Sequence, residues 1–251
     1  MNKLPVVKRA RDYYLYDLKG KRYLDMYQDN GRAVLGHRPE KISEVLKNTV
    51  SKGLIARYPS VYLSRLIKTL RSFFPDNGNI LISSSEERAA KLLGPDSKPA
   101  DIVMGRTGKA VLWRPYTDTP IVGDMLFPLL PVPGLFDLQI ACLNPVRYGD
   151  LPESDIISPV LAAAVVRILY NLSRNKPEND TVFLRTIDEG SLFSRDGIYL
   201  RPLCSAEKYD NLYREALAKG IVLSPDLKFP SILPGILTDN EKKTIIEIVK
   251  G

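Results

Sequence analysis

A serine-rich turn in the middle of the chain has the residue types of a phosphate-binding site. The apolar segment 79–83 predicts a short strand, and Ser84 and Ser85 follow it where a helix is predicted to begin. Exposed backbone N–H groups and the helix dipole make such a helix start a cradle for a phosphate group. Ser84 also stands three residues before Glu87, the spacing of a capping box, so an ordinary helix N-cap is the alternative.

A second segment, residues 101–109, joins a carboxylate to a lysine through a Gly-Arg-Thr-Gly turn. The turn does not have the form of a P-loop, because its spacing is short and Ala110 stands where Ser or Thr would bind Mg²⁺. Asp101 and Lys109 are the candidates for chemistry here, and a surface position in a turn is the alternative for Lys109. A long gap follows that lysine, since residues 110–175 contain no other.

The histidine and cysteine content excludes several classes of enzyme. His37 is the only histidine, so a multi-histidine metal site is excluded and a Ser-His-Asp triad would have one possible base. That base would lie in a Gly-His-Arg-Pro loop, which argues against such a hydrolase. Cys142 and Cys204 are far apart in the sequence, and we expect two buried thiols rather than a disulfide.

The net charge of +7 raises nucleic acid as a partner, but the charge distribution argues against one. The basic residues are spread along the chain, and the dense group at 19–22 falls at a predicted hairpin turn. The charged N-terminal segment does not resemble a signal peptide, and no stretch approaches the roughly 18 apolar residues of a spanning helix. We therefore expect a cytoplasmic protein without a membrane or nucleic-acid partner.

Helices and strands alternate along the chain, which predicts a mixed α/β or α+β fold. A hairpin is predicted around Gly20, which can take the positive φ that the turn requires. The region 115–152 is rich in proline and is predicted to be irregular. The remaining predicted helices are 38–52, 60–74, 156–172, 207–219 and 238–250, and the remaining predicted strands are 101–104, 109–113, 181–185, 197–203 and 221–224.

Both ends of the chain resemble the class III aminotransferases, which are fold-type I enzymes that use pyridoxal phosphate (PLP). The opening of these enzymes is similar to Tyr14-Leu-Tyr-Asp-Leu-Lys-Gly-Lys-Arg-Tyr-Leu-Asp25 and to Leu35-Gly-His-Arg-Pro39. Later segments of the family are similar to Ser158-Pro-Val-Leu-Ala-Ala-Ala164 and to Tyr213-Arg-Glu-Ala-Leu-Ala-Lys-Gly-Ile-Val-Leu-Ser-Pro225. The chain thus resembles a shortened, degenerate member, of the type of glutamate-1-semialdehyde aminomutase.

The resemblance implies roles for the candidate residues. A Ser-Gly-Ser-Glu-Ala run holds the PLP phosphate in the family, and Ser83-Ser-Ser-Glu-Glu87 is similar, with Ser84 in place of the glycine. Ser84 and Ser85 would then hold the phosphate, and Asp101 would pair with the protonated pyridine nitrogen. The family's Schiff-base lysine follows that aspartate and precedes the segment like 158–164, an interval in which this chain has no lysine. Lys109 is the nearest substitute.

The resemblance also implies the domain organisation. Residues 1–75 and 155–251 would form the family's small domain and connecting helices. Residues 76–154 would be a strongly reduced remnant of the large, cofactor-binding domain.

Three functions follow from these observations. The leading one is a non-catalytic aminotransferase-like protein that binds no PLP covalently and acts as a binding or partner subunit. Because family members are dimers, we expect a homodimer or a pair with a full-length aminotransferase subunit. The alternatives are an active aminotransferase or aminomutase that binds PLP through a relocated lysine, Lys109 first, and a basic α/β binding module unrelated to PLP.

Overall fold

The computed structural model describes residues 4–85, 91–92, 98–132, 138–177 and 180–251. The chain divides into two compact units. The terminal unit comprises residues 1–38, 116–119 and 175–251, and the middle unit comprises residues 39–115 and 120–174. Residues 39–75 and 155–174, which the sequence-based division groups with the two ends, thus lie in the middle unit.

The described residues contain strands and helices in alternation. The strands are β1 (Val7–Arg11), β2 (Tyr14–Asp17), β3 (Arg22–Asp25), β4 (Asn79–Ser83), β5 (Ala110–Trp113), β6 (Met125–Pro128), β7 (Gln139–Leu143), β8 (Phe193–Asp196), β9 (Tyr199–Pro202), β10 (Ile221–Val222) and β11 (Ser231–Ile232). The α-helices longer than one turn are α1 (Ile42–Val50), α2 (Val61–Phe73), α3 (Pro159–Arg174), α4 (Thr181–Asp188), α5 (Ala206–Ala218) and α6 (Asp239–Lys250). Within this part of the chain, no helix has the length and apolar character needed to cross a membrane.

The terminal unit contains two small sheets. One has the order β1-β2-β3-β10, in which β10 runs parallel to β3 and the other pairs are antiparallel. The β2–β3 hairpin is confirmed, and Gly20 in its turn has a φ of +82°. The other sheet is the antiparallel β11-β9-β8.

The middle unit contains a sheet of order β4-β7-β6-β5. Strand β7 is antiparallel to β4 and to β6, and β6 is parallel to β5. Strands β4, β5 and β6 therefore point the same way, and their carboxyl ends lie at one end of the sheet. In open α/β sheets this is the end at which ligands bind. Helix α3, mostly buried along its length, packs against α1 and α2 in the same unit.

Three local predictions are wrong. Residues 181–185 form helix α4 rather than a strand, because the Asp180 side chain accepts the backbone N–H of Val182 and caps a helix whose Phe183 and Ile187 are buried. Residues 101–104 are not a strand, since 102–104 form a 3-10 turn. The region 115–152 is not irregular throughout, because it supplies β6 and β7.

The predicted start of the last helix is confirmed. The Thr238 hydroxyl accepts the N–H of Glu241, and the Glu241 carboxylate accepts the N–H of Thr238, which completes a capping box. Tyr14 donates its hydroxyl proton to the same carboxylate at 3.0 Å. The N-terminal hairpin is thereby joined to the C-terminal helix within the terminal unit.

Candidate functional site

The serine turn lies at the carboxyl end of β4, which is the end of the sheet expected for a ligand. Ser83 is 1% exposed, Ser84 is half-buried and Ser85 is exposed. The Ser85 backbone N–H donates to the Ser83 hydroxyl at 3.1 Å and tightens the turn. The predicted helix start and capping box that would use Glu87 lie outside the described residues.

The turn already holds an anion, the carboxylate of Asp155. The backbone N–H of Ser84 donates to Asp155 Oδ2 at 2.9 Å, and the hydroxyls of Ser84 and Ser83 lie 3.2 and 3.1 Å from the same oxygen. The Ser83 proton can alternatively go to the Ser85 carbonyl oxygen, also at 3.1 Å. These donors face the position at which a phosphate oxygen would lie if the turn held one.

Asp101 is held in a buried ion pair. Arg114 Nη2 donates to its Oδ2 at 2.7 Å, and Arg114 Nε lies 3.1 and 3.2 Å from the two carboxylate oxygens. The two side chains are 7% and 0% exposed. Arg114 directly follows β5, while Ala100 pairs with Val111 of that strand and brings Asp101 alongside. The carboxylate that the resemblance assigns to a pyridinium nitrogen therefore has a guanidinium partner instead.

Lys109 lies at the other end of the sheet. It directly precedes β5, so it stands at the amino end of a strand whose carboxyl end carries Arg114. Because β4 and β5 point the same way, Lys109 and the serine turn lie at opposite ends. The side chain is also exposed, whereas a lysine nucleophile is activated by desolvation or by a neighbouring cation. The structure thus brings Ser84 and Asp101 to one end of the sheet and leaves Lys109 away from both.

The third parallel strand ends without a polar group. Strand β6 ends at Pro128, and Leu130 and Val132 beyond it are buried. The carboxyl ends of the three parallel strands therefore carry an occupied serine turn, a paired arginine and an apolar segment.

These residues, as they stand, do not fit PLP. The turn to which the resemblance assigns the phosphate is filled by a carboxylate, the aspartate that it assigns to the ring is paired with Arg114, and residues 110–175 contain no lysine. Ser84 and Arg114 also follow strands that are three inter-strand steps apart, roughly 14 Å across the sheet at the usual strand spacing.

Sequence reasoning missed Arg114 and Asp155, the two residues that complete these contacts. Arg114 had a signal, because a charged residue directly after an apolar strand ends at the sheet edge where ligands bind. Asp155 had none, since it lies about 70 residues after the turn in an irregular segment. Its approach to β4 depends on long-range packing.

The terminal unit contains a second polar site, built around the only histidine. His37 Nε2 lies 2.8 Å from Asp25 Oδ2, and Asp25 Oδ1 accepts the backbone N–H groups of Tyr27 and Gln28. Asp25 is 2% exposed, and residues 28–30 after it have φ between +47° and +57°, a left-handed turn without glycine. The carboxylate thus stabilises a strained backbone segment.

An aromatic groove lies elsewhere in the middle unit. Its cavity volume is about 260 Å³, and Phe73, Phe74 and Trp113 line it with edge-to-face ring contacts of 5.0 to 5.6 Å between centroids. Ser84, Ser85, Asp101 and Lys109 are not among its lining residues in the described part of the unit. The groove is therefore separate from the candidate site.

Comparisons of the sequence find an uncharacterized relative over most of the chain and a short match to an aminomutase. No model of a known protein family matches the chain. An uncharacterized protein of Borreliella burgdorferi is 29% identical over 246 residues, which cover 93% of this chain and 86% of the relative. A stretch of 69 residues is 35% identical to glutamate-1-semialdehyde 2,1-aminomutase of Heliobacterium modesticaldum and covers 28% of this chain and 16% of that enzyme.

Comparisons of the structure find aminotransferases over nearly the whole chain. The ornithine aminotransferase from Plasmodium yoelii matches with a TM-score of 0.69 and 14% identity, covering 98% of this chain and 92% of that one. A glutamate-1-semialdehyde aminomutase from Pseudomonas aeruginosa matches with a TM-score of 0.71 and 10% identity, covering 100% and 88%. Such low identities speak for the fold alone. The predicted fold class is confirmed: the chain has the mixed α/β fold of the class III aminotransferases.

Proposed function

We propose that this chain is an aminotransferase-fold protein that performs no PLP chemistry and acts as a binding or partner subunit. The observation that carries the proposal is the absence of lysine from residues 110–175, an interval that begins with β5 and includes β6, β7 and α3. Without an amine there is no covalent link to PLP and no lysine base at a substrate α-carbon. The ion pair of Asp101 and the filled serine turn support the same conclusion.

The two rival functions have less support. A relocated Schiff-base lysine would need to reach the serine turn, whereas Lys109 is exposed at the opposite end of the sheet. A binding module with no relation to aminotransferases would not be expected to match their structures over 98% of its length. We also propose that residues 76–154 are a reduced form of the family's cofactor-binding domain, which the short β4-β7-β6-β5 sheet supports.

PLP binding gives the direct test. Purified protein is mixed with PLP, scanned for the absorbance of an aldimine, reduced with borohydride and mapped by mass spectrometry. We expect no aldimine band and no specifically labelled lysine, while an active aminotransferase treated in parallel gives both. A single labelled lysine that becomes unlabelled in a Lys→Ala variant at that position would overturn the proposal. Lys109→Ala is the first such variant to prepare.

The partner role is supported by an exposed apolar segment in the middle unit. Ile55, Tyr58 and Val61 lie between α1 and the start of α2 and are 67%, 67% and 64% exposed. Contiguous exposed apolar patches mark protein–protein contact surfaces, and these three side chains lie within seven residues of the chain. We propose that this segment contacts a second copy of the chain or an aminotransferase subunit.

Light scattering after size exclusion tests the second copy. The mass of the unmodified chain is expected to be that of a dimer, and Tyr58→Asp is expected to reduce it towards the monomer, because a charge would be buried in the contact. Val182→Asp, at a residue that is 71% exposed on α4, is the matched control and is expected to leave the dimer intact. A monomeric chain that also fails to bind an aminotransferase encoded beside it would contradict the partner role.

A further inference from the structure

The serine turn contacts the Asp155 carboxylate through the kinds of donor groups that bind anions. Three donors, namely the Ser84 N–H and the hydroxyls of Ser83 and Ser84, converge on a single carboxylate oxygen at 2.9 to 3.2 Å. Convergent backbone and hydroxyl donors are the means by which proteins bind phosphate and carboxylate groups. The turn is therefore built as an anion site, and its ligand is part of the chain.

Two hydrogen bonds to Ile82 hold the Asp155 side chain beside the turn. The N–H of Asp155 donates to the Ile82 carbonyl at 2.8 Å, and the N–H of Ile82 donates to the hydroxyl of Ser154 at 3.0 Å. These bonds lay residues 154–155 along the edge of β4 that faces away from β7. Little orientational freedom is left to the side chain, so it competes with external anions at a high effective concentration.

The site is blocked by the Asp155 carboxylate and is not deeply buried. Ser83 is buried, but Ser84 and Asp155 are half-buried, so solvent reaches the contact. An external anion could enter if the carboxylate were removed, since the N–H and hydroxyl of the half-buried Ser84 would lose their acceptor.

We propose that Asp155 is an internal ligand that occupies an intact anion site and excludes phosphate-bearing molecules from the turn. The proposal rests on the proposed function in one respect, namely that the chain no longer uses this turn for a cofactor. The donors are retained and would bind a phosphate group or a carboxylate supplied from outside once the Asp155 carboxylate is absent.

Thermal unfolding in the presence of anions tests this inference. The unmodified chain, Asp155→Ala and Asp155→Asn are unfolded in a buffer free of phosphate and carboxylate, and again with inorganic phosphate, acetate or PLP at constant ionic strength. We expect Asp155→Ala to unfold about 2–8 °C lower than the unmodified chain in the anion-free buffer. Millimolar phosphate or acetate should restore most of that shift, while the unmodified chain should not respond.

Asp155→Asn keeps the shape of the side chain and removes its charge. It serves as the second variant should Asp155→Ala fail to fold, and we expect a phosphate response between those of the other two proteins. Asp150→Ala removes an exposed acidic residue nearby and is the matched control for the change in net charge. It should behave as the unmodified chain does.

Three outcomes would overturn the proposal. The first is a phosphate response of the unmodified chain as large as that of Asp155→Ala, because the turn would then be open. The second is a destabilised Asp155→Ala, or a folded Asp155→Asn, that responds to none of the anions. A response to PLP alone would place recognition at the ring and would also overturn it. Borohydride labelling of a lysine in the unmodified chain would instead contradict the proposed function, so the two failures are distinguishable.

Discussion

Asp101 and Asp155 lie at the same end of the middle sheet, and each is bound by groups of its own chain. Asp101 is paired with a guanidinium that is fully buried, whereas Asp155 is half-buried and bound by hydroxyls and one N–H group. The first contact is a structural ion pair that solvent does not reach. The second is an anion contact that solvent can reach, so only the second could be exchanged for an external ligand.

The difference follows from the cost of burying charge. Removing one member of a buried ion pair leaves the other desolvated and uncompensated, which is strongly destabilising. Removing a half-buried carboxylate costs less stability, because water can satisfy part of the hydrogen bonding of the groups that it contacted. Substitutions at the two positions should therefore have different consequences: loss of Asp101 or Arg114 should destabilise the fold strongly, whereas loss of Asp155 should cost less stability.

The largest expected effect is that of Arg114→Met. The variant leaves Asp101 buried without its cation, and we expect the free energy of unfolding of the middle unit to fall by about 3–5 kcal/mol. Trp113, the only tryptophan, lies next to the substituted residue, so its fluorescence during urea unfolding reports on this unit.

The double variant Asp101→Leu with Arg114→Met provides the control. It removes both charges of the pair and should lose much less stability than Arg114→Met alone, because the Asp101 carboxylate is no longer buried without its cation. Equal losses in the single and double variants would show that packing around Arg114, and not its charge, accounts for the effect.

Acetate is expected to restore the stability lost on substitution of Asp155 but not that lost on substitution of Asp101. Asp101→Ala removes the carboxylate that Arg114 contacts in a buried ion pair and should lose about 3–5 kcal/mol that acetate does not restore, because the ion pair is shielded from solvent. Asp155→Ala should lose about 1–3 kcal/mol and regain most of it in acetate. Rescue of both variants, measured by the same urea titration, would remove the distinction between a closed pair and an exchangeable contact.

A smaller effect is expected from Ser84→Ala. The substitution removes one hydroxyl from the turn but keeps the backbone N–H that lies closest to Asp155, so the loss should be about 0.5–1.5 kcal/mol. Ser64→Ala, at an exposed position on α2 in the same unit, is the matched control. A loss for Ser84→Ala no larger than that of the control would mean that the hydroxyl contributes nothing to holding the carboxylate.

Local signals in the sequence were sufficient for much of the fold. The β2–β3 hairpin, helix α2 and the capping box of α6 each depend on residues close together in the chain. The prediction of a strand at 181–185 is wrong because Asp180 caps a helix there, and Phe183 and Ile187, four residues apart, form its buried face. Helical spacing and the cap were both present in the sequence.

The candidate site was less predictable, for a physical reason. The serine turn and Asp101 were visible as residue types, but their partners are set by tertiary structure. Asp155 reaches the turn only because residues 154–155 pair with the edge of β4. The order β4-β7-β6-β5, which puts Lys109 at the wrong end for the turn, also has no local signature. Residue type and spacing identified the candidate groups, but the strand order of the sheet determines which of them lie close together.

The smallest expected effect is on the reactivity of Cys142, and it measures how far each change spreads through the middle sheet. Cys142 is fully buried on β7, between β4 and β6, and burial raises the pKa of its thiol, whereas Cys204 in the terminal unit is half-buried and serves as the internal reference. The thiolate is the reactive form, so Cys142 should be alkylated much more slowly than Cys204.

Asp155→Ala should leave the ratio of the two alkylation rates unchanged, because it opens only the edge of β4. Arg114→Met should bring the rates closer, since loss of the buried pair lowers the free energy at which the whole sheet opens. Mass-spectrometric mapping after brief alkylation gives both rates in one sample. Faster labelling of Cys142 in Asp155→Ala would show that the carboxylate supports the sheet as a whole, and the contact could then no longer be treated as an exchangeable ligand.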